Sequence, residues 1–181
     1  MHIHIFWDSL APAGLQVPVA RTMSAILGVR ATVSENPVRV MGYDQKKKQI
    51  NAPALLDSIQ AYKRRHGLTE PVLLVISQDL FREGHAFVFG LAREPVGAAV
   101  VSVGRLNNAF YGRPERDDDL VDRLAKEGAH EVGHLFGLDH CMVPECIMFR
   151  PETLDELDRK KKMFCDECRA HLDLNKNSKQ Q

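Results

Sequence analysis

Residues 117–140 read DDDLVDRLAKEGAHEVGHLFGLDH, and the fold turns on them. Val121, Leu124, Ala125, Gly128, Val132, Leu135 and Phe136 follow the helical period. At 100° per residue they fall within about 60° of one direction, so Asp117 to Phe136 is expected to be a helix with one apolar stripe. Asp117, Asp118 and Asp119 suit its positive N-terminal end, and Gly137 supplies a stop. His130 and His134 project roughly opposite the stripe, about 6 Å apart in rise and about 40° apart in rotation. The stripe is expected to pack on a sheet while both imidazoles point into a cleft.

The last part of this stretch has the form HExxHxxGxxH, from His130 to His140. His130 and His134 lie one turn apart and can share a metal ion. If the helix continued, His140 would lie roughly 9 Å beyond His134. Gly137 stands where the chain must leave the helix and turn back. Three neutral histidines on zinc leave the fourth position to water, as in a catalytic site. Zinc lowers the pKa of that water to about 7. Glu131 is placed to take its proton and later deliver it to a leaving amine. Chance assembly of five such residues at these offsets is on the order of one in ten thousand for this composition.

Directly after His140 the cysteines begin. Cys141 and Cys146 form C-x4-C, and Cys165 and Cys168 form C-x2-C. Four thiolates would make a closed, structural zinc site that staples this segment. Two disulfides, or free thiols, are the alternative.

Upstream, Met1–Trp7 alternates as a strand and Val17–Leu27 carries helical spacing. Pro37–Tyr43 reads as a second strand, 44–51 as a basic loop, and Pro53–His66 as a helix. PVLLVIS at 71–77 suits a strand buried on both faces. His85–Ala92 and Gly97–Val103 are expected to form an antiparallel hairpin around Glu94 and Pro95. The order βαβαβββ gives a mixed sheet with helices packed on it. A last helix is expected from Pro151 to about Phe164, with Glu152, Asp155 and Glu156 early and Arg159 to Lys162 late. Residues 173–181 read as a polar, disordered tail.

The chain has 181 residues, 24 basic and 24 acidic. One domain is expected, and the charge balance points to neither nucleic acid nor membrane as a partner. No apolar run approaches the roughly 18 residues of a membrane span. The N-terminus does not read as a signal peptide and no removable pro-segment stands out, so a cytoplasmic setting is expected.

HExxHxxGxxHC, then x4-C-x-M, then C-x2-C, closely resembles the archaemetzincin family of metzincin zinc metallopeptidases. The resemblance covers His130 to Cys168. Met148 and Cys165 are separated by 16 residues, one fewer than in the family pattern. The resemblance implies an α+β, metzincin-like zincin fold: a mixed twisted sheet, a backing helix and an active-site helix. It implies a small C-terminal lobe with a Met-turn at Met148 and a structural zinc. The domain would span 1–172, with lobes at 1–137 and 138–172. Two zinc ions would be the cofactors, a catalytic one on His130, His134 and His140 and a structural one on Cys141, Cys146, Cys165 and Cys168. The implied activity is hydrolysis of peptide bonds, with the substrate paired along an exposed edge strand, for which His85–Ala92 is the candidate. Tyr111 is the one candidate for a further transition-state stabiliser. Hydrolysis of a non-peptide amide, or zinc binding with vestigial activity, are the competing functions. Glu131 speaks against the last, since a scaffold needs no base.

Overall fold

The computed structural model describes residues 1–178. Its elements run β1 (His2–Trp7), α1 (Gln16–Leu27), β2 (Arg30–Glu35), β3 (Tyr43–Asp44), β4 (Gln49–Asn51), α2 (Ala52–His66), β5 (Val72–Ile76), β6 (Leu80–Arg82), β7 (His85–Val88), β8 (Gly90–Arg93), β9 (Ala98–Ser102), α3 (Asp117–Leu135), α4 (Leu154–Arg159) and α5 (Asp166–Ser178). A five-stranded sheet has the order β2-β1-β5-β9-β8, and a smaller one the order β3-β4-β6-β7. In the larger sheet β2, β1, β5 and β9 are parallel and β8 is the antiparallel edge. The fold is thus mixed α and β, as expected.

Strand alternation divides the interior into two cores. Ile3, Ile5, Leu73, Val75, Ala99 and Val101 face the side covered by α1 and α3. Phe6, Val72, Leu74, Ile76, Ala98 and Val100 face the side covered by α2. Covering both faces explains why β5 is buried at every position and why its sequence is a continuous apolar run. The α2 helix starts on Asn51, whose side chain accepts from Ala54 N, and ends at Gly67 in the left-handed region.

Several expectations require correction. The second strand lies at Arg30–Glu35, not Pro37–Tyr43, and pairs with β1 over six residues. Pro37 lacks an N–H for a ladder. Asn36 instead closes a local turn, with its side chain bonded to both N and O of Val38. The basic loop at 44–51 is largely a tight hairpin: Tyr43 and Asp44 pair with Ile50 and Gln49. Asp44 caps its turn by accepting from the N–H groups of Lys46 and Lys47. The β6 strand had no counterpart in the sequence reading. The strand expected at His85–Ala92 bends at Phe89, so that β7 joins the small sheet and β8 the large one.

The helix expected from Pro151 to Phe164 is shorter. It starts after Thr153, which forms a capping box with Glu156, and ends at Arg159. The α5 helix was not expected, and it carries through Ser178, well into the segment read as a disordered tail. Leu172 is buried, Arg169 donates to Ile26 O and Asn175 to Phe136 O. Residues 179–181 of the expected tail lie outside the described residues.

Candidate metal centre and cleft

The α3 helix carries most of the site. Its N-terminal turn is acidic as expected, but from Arg123 onward it is buried nearly all round. The sheet and α1 cover one side, and the segment after His140 covers the other. At its end Gly137 takes φ 83°. Gly137 N donates to His134 O and Leu138 N to Gly133 O, the paired bonds of a Schellman closure. The reversed chain then brings His140 back beside His130 and His134, whose ring centroids lie 5.3 and 4.7 Å from its own.

The three histidines can offer ligand atoms that all lie within 4.8 Å of one another. His130 Nδ1 donates to Ile147 O at 2.9 Å, and His134 Nδ1 to Leu138 O at 2.7 Å. A carbonyl only accepts, so the proton of each ring is on Nδ1 and each Nε2 presents a lone pair. The two Nε2 atoms face each other at 3.2 Å. Facing lone pairs repel unless a cation lies between them. Tetrahedral zinc with Zn–N bonds of about 2.05 Å requires ligand nitrogens about 3.3 Å apart. His130 and His134 therefore fit zinc in spacing, tautomer and orientation, and His140 offers a nitrogen within 4.8 Å of theirs. Burial holds all three imidazoles in the neutral, ligating form: His130 lies well below its ordinary pKa, His134 below it, and His140 is pushed down to about 4.

Glu131 is buried beside His130 and lines the same cleft. Burial raises its carboxyl pKa well above the ordinary value, and the neighbouring Glu127 adds to the rise. Gly90 on β8 makes room for it, since a Cβ there would lie 2.7 Å from Glu131 Cγ. Met148 is fully buried beneath the helix, where a Cβ on Gly133 would meet its sulfur at 2.5 Å. Both glycines are required by close approach. The cleft has a volume of about 700 Å³ and is walled by β7 and β8 on one side and by the histidines on the other.

The four cysteines also come together, with sulfurs within 4.8 Å of one another and none in a disulfide. Cys141 Sγ and Cys165 Sγ are 3.7 Å apart. Zinc–sulfur bonds of about 2.3 Å in a tetrahedron require about 3.8 Å. Cys146 Sγ accepts from the N–H groups of Met148 and Cys165, and Cys141 Sγ from that of Val143, contacts that favour thiolates. The disulfide alternative does not describe this structure. Cys141 N donates to Met148 O, so the cysteine loop is tied to the residue beneath α3.

Two features escaped the sequence reading. Lys160 is wholly buried, with Nζ 4.0 Å from Glu127 Oε2 and 3.5 Å from His130 Nδ1. Burial pushes both partners toward neutrality, raising Glu127 and lowering Lys160. Their ion pair nevertheless places a cation behind two buried carboxylates. The i, i+4 spacing of Glu127 and Glu131 on α3 is the sequence signal that points to it. The second feature is the group Arg82, His85 and Arg150 at the cleft. Tyr111 does not line the cleft; its hydroxyl donates to Arg105 O.

The family model described as Peptidase family M54 matches residues 25–174. A curated archaemetzincin of Thermococcus kodakarensis is 38% identical over 130 residues, 72% of this chain and 69% of that protein. One of Sulfolobus acidocaldarius is 32% identical over 166 residues, 91% of this chain and 92% of that protein. The crystal structure of a zinc-dependent peptidase from Methanocorpusculum labreanum superposes with a TM-score of 0.90 at 42% identity, covering 94% of this chain and 99% of the other. That of an archaemetzincin from Methanopyrus kandleri gives 0.81 at 32% identity, covering 98% and 96%.

Proposed function

Because the chain belongs to peptidase family M54, the archaemetzincins, we propose that it is a zinc-dependent metallopeptidase of the metzincin type. His130, His134 and His140 would hold the catalytic zinc and Glu131 would be the general base. The observation that carries this reading is the pair of Nε2 lone pairs facing each other at 3.2 Å, with both Nδ1 protons committed to backbone carbonyls. Family membership supports it independently.

When bound, the zinc supplies Lewis acidity, acidifying the attacking water and polarising the scissile carbonyl. The remaining work belongs to the chain. Ile147 O and Leu138 O orient the two helical imidazoles. Glu131 takes a proton from the attacking water and returns it to the leaving amine. Its raised pKa makes it a stronger base than an exposed carboxylate, and Lys160 and Arg82 offset part of that rise. Edge strand β8 offers backbone groups to an extended peptide, as in strand addition.

Cys141, Cys146, Cys165 and Cys168 would hold a second, structural zinc, which makes two zinc ions per chain. Met148 would be the Met-turn residue, an apolar floor that does not ligate. The catalytic domain would run from residue 1 through α5, with the two lobes meeting after Gly137. Four reduced thiols suit a cytoplasmic setting. Among the described residues no helix is long and apolar enough to cross a membrane.

The test is hydrolysis of a randomised peptide pool before and after 1,10-phenanthroline, followed by zinc. Cleavage is expected to fall to background with the chelator and to return with zinc. A zinc-loaded protein that leaves every peptide intact but cleaves small non-peptide amides would overturn the peptide assignment.

A further inference from the structure

Arg82, on β6, and Arg150, after the cysteine loop, converge on one imidazole beside the cleft. Arg82 Nε donates to His85 Nδ1 at 3.2 Å, and a second nitrogen of the same guanidinium lies 3.1 Å from His85 Nε2. Arg150 Nη2 also lies 3.1 Å from His85 Nε2. A neutral imidazole has one acceptor nitrogen, so it cannot satisfy both guanidinium groups. Among the described residues neither guanidinium forms an ion pair with a carboxylate, whereas Arg93, Arg105 and Arg123 each do. Glu152 lines the cleft as well, and among the described residues no ion pair joins it to either arginine. The result is a cationic concavity whose missing element is an anion.

Its position relates it to the reaction. All three residues line the cleft that holds the histidines and Glu131. The charge of Arg82 is felt at Glu131 and that of Arg150 at His140. Arg82 and His85 precede β8 in the chain, whereas Glu94 follows it. Glu94 lies close to Gly137, and Asp139 is two residues beyond, both on the cleft wall. The cleft lining thus places Arg82 and His85 before β8, with Arg150 against His85, and Glu94 after it beside Gly137 and Asp139, while Glu152 adds a further acid to the lining. An extended peptide laid antiparallel on β8 would run from the Glu94 end toward the His85 end. Its amino end would meet acids and its carboxyl end would meet arginines.

Resting on the peptidase reading above, we propose that Arg82, His85 and Arg150 form a carboxylate-binding subsite, selecting peptides with a carboxylate on the C-terminal side of the scissile bond. Two guanidinium groups match a carboxylate in planar, bidentate geometry, which a lysine would not. The carboxylate is either the peptide's own C-terminus or an Asp or Glu side chain.

Three fluorescein-labelled pools, randomised at the same positions, separate these sources. One has a free C-terminal carboxylate, one is the C-terminal amide without Asp or Glu, and one is that amide with a Glu fixed near its end. Binding to the zinc-loaded Glu131→Gln protein is read by anisotropy, and hydrolysis is read separately on the zinc-loaded wild type. The free-acid or the Glu pool is expected to bind about tenfold to a hundredfold more tightly than the plain amide. That ratio is expected to fall toward one in Arg150→Gln, an exposed position, and in Arg82→Gln. Arg21→Gln, exposed on α1, should preserve it. Preference for the free acid assigns the C-terminus, and preference for the Glu pool assigns a side chain. Equal binding of all three pools, or a preference that survives both arginine substitutions, overturns the subsite. Selective binding without hydrolysis of any pool would leave the subsite standing and remove the peptidase reading.

Discussion

Glu131→Gln is expected to reduce peptide hydrolysis by roughly 10²–10⁴-fold while leaving both metal sites loaded. The amide keeps the shape that Gly90 and α3 accommodate, where a Cβ on Gly90 would already lie 2.7 Å from Oε1. It cannot accept and return a proton as the carboxylate does. Neither helical imidazole depends on it: the orienting bonds of His130 and His134 run to Ile147 O and Leu138 O. Stability should be preserved or slightly raised, because the substitution removes a buried carboxyl next to Glu127. The check combines kcat/KM on a cleaved peptide, zinc content and thermal unfolding of the same preparation. Loss of activity together with loss of zinc would give Glu131 a structural role instead.

Lys160→Met is expected to destabilise the protein by about 3–5 kcal/mol, the cost of leaving one member of a buried pair unmatched. Lys160 has no exposed surface, and Glu127 Oε2 has no hydrogen-bond partner to replace it. Adding Glu127→Gln should recover most of the loss, because removing both charges also removes their desolvation. Chemical denaturation of the two single variants and the double variant measures this coupling. Additive losses would mean that Lys160 acts by packing alone. Activity should fall further in Lys160→Met than its folded fraction accounts for: with the offsetting cation gone the Glu131 pKa rises further, and more of the carboxyl is protonated and unable to take the proton of the attacking water.

The candidate metal ligands were legible in the sequence because each is placed by local geometry. His130 and His134 need only a helix, and His140 needs only a turn at Gly137, which the structure supplies with φ 83°. The cysteine pairs are likewise short-range, and the structure brings all four together. The β5 strand was legible because burial on both faces leaves an unbroken apolar run. The β2 strand was not: Arg30–Glu35 is mostly exposed, and its pairing with β1 depends on the backbone rather than on an apolar face. The α5 helix was also hidden, since its polar sequence is held by tertiary bonds to Ile26 O and Phe136 O.

Lys160 illustrates the limit most clearly. It is one of four consecutive cations, Arg159 to Lys162, that look alike as sequence. Lys161 and Lys162 are more than half exposed and pair with Glu145 and Asp122. Lys160 alone turns inward because the Cys146 loop closes over α3, and no local pattern encodes that. The subsite of Arg82, His85 and Arg150 is similar, since its members lie 65 residues apart and meet only when the cysteine loop is folded against β7.

Zinc content by elemental analysis, on the wild type and on His134→Ala and Cys165→Ala variants, bears most directly on the two-centre reading. Two zinc ions per chain are expected in the wild type. His134→Ala should weaken one and Cys165→Ala the other, with hydrolysis lost in the first while the cysteine site stays filled. A single zinc ion, unaffected by Cys165→Ala, would contradict the structural centre; zinc retained at wild-type affinity in His134→Ala would contradict the catalytic one.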